Sequence, residues 1–500
     1  MEIQQIGMIG VGSMGAMMSL LLAEKDIHVY YYDPSQSNSE ALESHAERAK
    51  LQENIHHYHT HESLCGALSS PRAFILSIPH GNVGDETIDA MLPWLSAGDI
   101  IMDASNEHWK ATERRQKKLG SEGVEYIGMG VSGGYQSARH GPSICPGGAP
   151  EALDKVLPFL EIMAARDKQS RPCVAKLGPG GCGHYVKMVH NGIEQGIMTA
   201  LCEVWGIMAH GLGMSYDEIG DVFEAWNSQG PLRDNFLVSI GSNICRAKDP
   251  KDGSSVLGQI RDKVVQDYDD TEGTGTWTCE EGARLHVCIS VISASHFFRI
   301  ASADAARRNT VSGALGQELR PSKINIDDRD GFIRNLQFAT YGSFLVSFVQ
   351  GLHLISKANA ENEWNLNFCH VLQLWRGGAI IQSDEIVDLL EATYRCQDHD
   401  SDNLLGHRRV AQALLETLPS LKDVVLKAIG SDAYVPALAA SLEYIKYSSA
   451  ADLPTSFQEA QLDYFGEHMY DLKRDDPGRP VKGKHHFEWK PARGINEAEA

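Results

Sequence analysis

No two cysteines in this 500-residue chain stand in a CxxC spacing. The ten that occur are scattered from Cys65 to Cys396, which argues against a disulfide frame or a cysteine zinc knot. They read as reduced, mostly buried thiols of a cytoplasmic protein. Positive charge is scarce as well: 45 Lys and Arg face 66 Asp and Glu, a formal net charge of −21. With no long basic run, neither a nucleic acid nor an anionic membrane is an expected partner, and an anionic substrate would need local cations against that background. The N-terminal MEIQQIG lacks the basic and then apolar segments of a secretory leader. No uninterrupted apolar stretch reads as long enough to cross a bilayer, and no fixed-period repeat is found. What remains, 42% hydrophobic and 22% charged residues, is the mixture of a globular protein too long for one hydrophobic core.

The strongest local signal lies at the start. An apolar run, Ile6 to Ile9, leads straight into Gly10-Val11-Gly12-Ser13-Met14-Gly15. Residues Ala16 to Ala23 then read as a helix and His28 to Tyr32 as a strand, with Asp33 eighteen residues after Gly15. In such a βαβ unit the first glycine makes the tight turn and the second admits a pyrophosphate. The third packs helix on strand, and the helix N-terminus faces the phosphates. An acid ending the second strand accepts the adenosine ribose diol and repels a 2′-phosphate, so NAD is expected ahead of NADP.

Short β-rich runs at Ala73–Ile78, Ile100–Asp103 and Tyr126–Gly128 alternate with helical patterns over residues 1–180, as a doubly wound sheet requires. After the glycine joint Gly178-Pro179-Gly180-Gly181 the pattern turns helical up to about Tyr447. The expected architecture is an α/β Rossmann domain over 1–180 and a large all-α domain over 181–460. An extended C-terminal tail over 461–500 follows, with His486-Phe487-Glu488-Trp489 as its docking patch.

Within His184 to Glu194, helical spacing places Lys187, His190, Asn191 and Glu194 on one face. Val186, Val189, Ile193, Ile197, Ala200 and Val204 form an adjoining apolar stripe. An ammonium, an imidazole, an amide and a carboxylate are thus presented together beside a dinucleotide domain, where active sites of such enzymes form. A solvated face with helical charge pairs is the plainer reading of Lys187 and Glu194; the position beside the glycine joint favours chemistry.

Several uncommon runs then occur in order. They are Gly130-Val131-Ser132-Gly133-Gly134, Gly141-Pro142-Ser143 with Pro146-Gly147-Gly148, Gly183 to Glu194, Leu374-Trp375-Arg376-Gly377-Gly378 and Asp463-Tyr464-Phe465-Gly466. Together they resemble the decarboxylating 6-phosphogluconate dehydrogenase family, from the first strand to about His468. The resemblance implies Lys187 as the general base at the C3 hydroxyl and Glu194 as the acid that protonates C1 of the enediol, with no metal. It implies that Ser132, Gly133 and Gly134 receive the substrate carboxylate and that His190 and Asn191 hold hydroxyls. Asn106 would stand near both nicotinamide and substrate, and Thr274, Arg299 and His468 match further substrate positions. The family is a homodimer whose tail completes the partner's active site, so a shared site and a sugar-acid substrate are expected here.

The departures from that pattern cluster where the family holds the substrate's 6-phosphate. Gln195 replaces a tyrosine, Glu272 a lysine and Leu462 an arginine. A phosphate dianion prefers guanidinium and ammonium donors, so an unphosphorylated or differently substituted acid of similar length is expected. On the cofactor side, Asp33-Pro34-Ser35 stands in place of the Asn-Arg-Thr of NADP-using members, which again favours NAD.

Other features are set aside. His56, His57, His59 and His61 read as a surface loop between helix and strand, not a metal site. Asp398, Asp400 and Asp402 start like a calcium loop, but Asn403 and Arg409 break its pattern. Trp375 to Gly378 reads as a packed helix end near an interface, and Arg307 and Arg308 as solvated or paired. Two alternatives stay open: a non-decarboxylating 3-hydroxy-acid dehydrogenase, against which Glu194 speaks, and a non-catalytic dinucleotide-binding homologue.

Overall fold

A computed structural model of the chain describes residues 3–266, 268, 272–316, 319–396, 403–478 and 480–489. It contains two compact units, Met1–Leu442 and Glu443–Ala500.

The larger unit begins with seven strands: β1 (Gln5–Ile9), β2 (His28–Tyr32), β3 (Ile55–His57), β4 (Ala73–Leu76), β5 (Ile100–Asp103), β6 (Glu125–Ser132) and β7 (Ser143–Gly147). Their order in the sheet is β3-β2-β1-β4-β5-β6-β7, with every neighbour parallel except the antiparallel β6–β7 pair. Helices α1 (Ser13–Ala23), α2 (Gln36–Ala49), α3 (His61–Ala67), α4 (Asn82–Met91), α5 (Trp109–Gly120) and α6 (Gly134–His140) connect them, and α7 (Pro150–Met163) follows the last strand. Because side chains alternate across a strand, Met8, Val29, Ile75 and Met102 pack with Leu20, Leu21, Phe159 and Leu160 in one core cluster. Ile9, Phe74, Leu76 and Ile101 pack with Leu64, Ile88 and Leu119 in the other. The sheet is therefore covered on both faces, as parallel strands require.

The differences from the sequence reading have local causes. Helix α1 starts at Ser13 instead of Ala16, because Gly12 is its N-cap and the helix grows out of the glycine motif itself. Strand β4 stops at Leu76, short of Ile78, ahead of Pro79, which cannot extend a ladder. Strand β7 carries Pro146 and Gly147, which masked it in the sequence; a sheet edge tolerates them. His56 and His57 lie on edge strand β3, not in a loop. The thiols are less buried than expected, with Cys202 and Cys288 exposed.

The described residues that follow are largely helical, with α8 (Cys182–Gly206), α9 (Tyr216–Ser228), α10 (Phe236–Arg246), α11 (Thr274–Arg284), α12 (Ser290–Ala303), α13 (Ala305–Leu315), α14 (Arg329–Asn362), α15 (Phe368–Leu374), α16 (Asp384–Tyr394), α17 (Arg408–Ile429), α18 (Pro436–Ser448) and α19 (Thr455–Gly466). Helix α14 is long and apolar enough to cross a membrane by length and composition, although polar residues interrupt it. Its apolar window is 89% buried inside the protein, where it packs on α8 and α17 as a core helix. Arg308 pairs with Asp262 at 2.9 Å. The Asp398, Asp400 and Asp402 run lies outside the described residues.

In the smaller unit the docking patch of the tail finds its partner within the unit itself. Asp463 on α19 is buried, and His486 Nδ1 lies 3.0 Å from its Oδ1. The Phe487 backbone N–H and Trp489 Nε1 donate to Oδ2 at 3.2 and 2.9 Å. Desolvation would raise this carboxyl, but those bonds and one from the Met469 N–H hold it well below the usual carboxylate range.

Candidate active site

The loops after β1, β4, β5 and β6 all leave the same carboxyl edge of the sheet, where ligands of open α/β sheets bind. At β1 the chain turns through Gly10 at φ +87°, and Gly15 sits where a Cβ would be 2.1 Å from the Gly10 carbonyl oxygen. Nothing lies within 4 Å of a Cβ built on Gly12, so that side of the loop is open to a ligand. No side chain caps α1, which leaves the N–H groups of Ser13, Met14 and Gly15 to face an anion. Asp33 Oδ2 accepts from the Val11 N–H at 2.7 Å and from Asn38 Nδ2 at 3.2 Å, while Oδ1 accepts from the Ser35 N–H at 2.7 Å. The carboxylate thus ties the glycine loop to the start of α2 with three of roughly four lone-pair sites filled. Gly10 to Gly15 and Asp33 fit a bound dinucleotide.

Helix α8 begins after the glycine joint and packs on β6 and β7. Its polar residues are not a solvent-facing stripe: Lys187 is 6% exposed and His190 fully buried. Close approach of helix and strand explains this, since a Cβ on Gly130 would lie 2.3 Å from the Cβ of Lys187. Lys187 Nζ donates to Ser132 Oγ at 2.9 Å and to Asn191 Oδ1 at 2.7 Å. Asn191 Nδ2 donates onward to Thr274 Oγ1 at 3.0 Å, and His190 Nε2 lies 3.1 Å from Ser132 Oγ. Glu194 Oε2 is 3.7 Å from His190 Nδ1. Burial pushes the Lys187 ammonium below its ordinary range, with Glu194, Cys145 and Glu272 pulling it partly back. Burial and the Lys187 charge push His190 well below 6.5, so its ring is neutral near pH 7. The site therefore offers an amine poised to exchange a proton, fixed by a hydroxyl and an amide, with a carboxyl group on the same helix.

Gly133 (φ +109°) and Gly134 turn from the end of β6 into α6, and a Cβ on Gly133 would strike the Gly378 carbonyl oxygen at 2.1 Å. The Trp375 to Gly378 segment thus packs on a candidate site loop. Trp375 also sets its ring edge-on to His190, with centroids 6.3 Å apart.

At the far end of the site a cavity of about 120 Å³ opens beside Asn191 and Glu194. Gln195, Glu272, Thr274 and Arg299 join its wall, together with Gln266, which no sequence motif marks. Gln195 Oε1 is 3.1 Å from His296 Nδ1, and Glu272 Oε2 accepts from Asn106 Nδ2 at 3.2 Å. Asn106 adjoins a buried network that no sequence motif announces. Arg115 Nη1 donates to Glu107 Oε2 at 2.7 Å, and that oxygen also accepts from the Gly81 N–H at 2.9 Å. Trp277 on α11 stands edge-on to both His80 and His108, a further link between α11 and the sheet loops. Leu462 and His468 belong to the smaller unit, where His468 meets the Phe465 ring at 6.0 Å.

Two family models match almost the whole chain: the NAD binding domain of 6-phosphogluconate dehydrogenase over residues 5–178, and the C-terminal domain of 6-phosphogluconate dehydrogenase over 183–489. A decarboxylating 6-phosphogluconate dehydrogenase of Emericella nidulans is 42% identical over 498 residues, covering 96% of this chain and all of the relative. An NADP(+)-dependent, decarboxylating one of Bacillus subtilis is 35% identical over 98% of this chain and all of its own length. Among solved structures, Plasmodium falciparum 6-phosphogluconate dehydrogenase, studied with NADP+ and with 6-phosphogluconate, superposes with a TM-score of 0.85. It shares 33% identity, with 97% of this chain and all of that one covered. With a Rossmann-like sheet domain, a helical domain and matches along nearly its full length, this chain belongs to the 6-phosphogluconate dehydrogenase family.

Proposed function

We propose that the protein is an NAD(P)-dependent dehydrogenase that oxidises the C3 hydroxyl of a sugar acid and releases the acid's carboxyl group as CO2. The observation that carries this reading is the buried Lys187, whose amine is bonded to Ser132 and Asn191 and whose helix also bears Glu194. A nicotinamide held through Gly10 to Gly15 and Asp33 supplies a hydride acceptor when bound. Lys187 removes the C3 hydroxyl proton, a step that the lowering of its proton affinity by burial favours. The bond from the carboxyl carbon to its neighbour then breaks, and its electrons flow toward the new ketone. Protonated Lys187 donates to that oxygen, and Glu194 protonates the carbon that has lost CO2. Ser132, Gly133 and Gly134 receive the substrate carboxylate, while His190 and Asn191 hold hydroxyls and Asn106 stands beside the reacting carbons. Relatives with the same architecture are named for this decarboxylating chemistry.

The finer cofactor reading is NAD. Asp33 adds a negative charge at the end of β2, Pro34 brings no cation beside it, and both disfavour a 2′-phosphate. The assembly reading is a homodimer, supported by the exposed Phe457, Tyr464 and Phe465 on α19, at 72, 57 and 71% exposure.

Incubating the full chain with sugar acids, while following NADH, NADPH and CO2 in parallel, tests the proposal. One CO2 per reduced nicotinamide is expected. Reduced nicotinamide without CO2 would replace it with the simple 3-hydroxy-acid dehydrogenase reading, and no turnover at all with the non-catalytic one.

A further inference from the structure

The cavity of about 120 Å³ beside Asn191 is large enough for several heavy atoms of a ligand. It continues from the reacting end of the site, so the part of a sugar acid farthest from its carboxylate falls there. Among the described residues of its wall, Glu272 is a carboxylate, Glu194 is the proton donor of the reaction proposed above, and Arg299 is the only cation. A phosphate monoester brings a charge of about −1.5 to −2. Placed there, it would meet one guanidinium and the Glu272 carboxylate in a partly desolvated space, where like charges a few ångströms apart repel strongly. Hydroxyl groups carry no charge to repel, and the amide and hydroxyl groups of Gln195, Gln266, Asn191 and Thr274 stand in the same wall.

Glu272 is anchored in place: its backbone N–H donates to the Gln266 carbonyl at 3.0 Å and its Oε2 accepts from Asn106 Nδ2 at 3.2 Å. A carboxylate only accepts hydrogen bonds, so this contact also fixes the Asn106 amide, with its NH2 toward Glu272 and its oxygen turned away. Moving Glu272 aside for an anion would release Asn106.

We propose that Glu272 makes this cavity a selector for sugar acids whose far end is uncharged and hydroxyl-bearing, in place of the phosphorylated end of the 6-phosphogluconate for which the relatives are named. The inference rests on the dehydrogenase reading above for the orientation of the substrate. Glu272 acts as a specificity-determining and positioning residue.

The test uses the full-length protein with NAD and with NADP. Initial rates and calorimetric binding are measured for 6-phosphogluconate and for a panel of unphosphorylated four- to six-carbon aldonates. The wild type is expected to favour at least one free aldonate over 6-phosphogluconate tenfold or more, in both affinity and kcat/KM. Glu272→Lys should reverse the order, mainly through KM, and the isosteric Glu272→Gln should move it the same way by less. Tighter binding of 6-phosphogluconate by the wild type, an unchanged preference in both variants, or no binding by any free aldonate would overturn the proposal. Free aldonates that bind more tightly than 6-phosphogluconate without turnover, with Glu272→Lys reversing that order, would uphold the selector and sink the dehydrogenase reading instead.

Discussion

Gly130 and Lys187 touch at their roots: a Cβ on residue 130 would fall 2.3 Å from the Cβ of Lys187 and 2.8 Å from its Cγ. The strand end that carries Ser132 can therefore approach the lysine only because residue 130 has no side chain. Gly130→Ala should push α8 off β6, lengthen the 2.9 Å Lys187–Ser132 bond and destabilise the fold by about 1–3 kcal/mol. Thermal unfolding and kcat measured together check this; an alanine variant with unchanged melting temperature and turnover would show that the helix accommodates it.

Lys187→Met should lower kcat by roughly 10²–10⁴-fold, the usual contribution of a positioned acid–base group. In the wild type, kcat/KM should rise with pH as the ammonium loses its proton, around a pKa below the ordinary lysine value. Because the Glu272 carboxylate helps hold that proton, Glu272→Gln should move the rising limb to lower pH. A limb that moves upward, or not at all, contradicts the electrostatic account.

Glu203, also on α8, is buried and accepts the N–H groups of Ala437 and Leu438 at 2.6 and 2.9 Å. Desolvation pushes its carboxyl up to about 8 against those two bonds, from an ordinary value of 4.5. A group whose folded pKa lies above its unfolded one stabilises fully below the unfolded value, and that contribution is lost as pH rises through the folded one. Wild-type stability relative to Glu203→Gln should accordingly decline between about pH 5 and pH 9. Calorimetric melting across that range reads it out, and a constant difference would refute the assignment.

Asp33→Asn removes one negative charge while keeping an acceptor for the Val11 or Ser35 N–H. The ratio of kcat/KM for NADP over NAD should climb on the order of tenfold, equivalent to ~1.4 kcal/mol. An unchanged ratio would mean that the acid serves only to tie the glycine loop to α2.

Asp463→Ala removes the acceptor of His486, Phe487 and Trp489 at once. The tail should become sensitive to carboxypeptidase and the Trp489 emission should shift to the red. Retained protease resistance would show that the tail is held by other contacts.

Short-range features are legible in the amino-acid sequence. The glycine loop and Asp33 sit within one βαβ unit, and consecutive residues encode its turn, helix and strand. Likewise Lys187, His190, Asn191 and Glu194 declare themselves by spacing on a single helix, because 3.6 residues per turn brings positions three and four apart together. Edge strand β7 is hidden by its own proline and glycine. The apolar window of α14 is interrupted by serines, glycines and a glutamine, so no single run marks it.

The dinucleotide loop, the acid that follows β2 and the row of polar residues on α8 are all written in the amino-acid order, since local backbone geometry fixes each of these. Tertiary contacts alone bury Lys187 and His190 of that row, set Trp375 behind His190 and bring Glu272 to Asn106 from 166 residues away. Those contacts come from packing between elements distant in the chain, which no periodicity records. They also set the proton affinity of Lys187 and the charge of the cavity beside it.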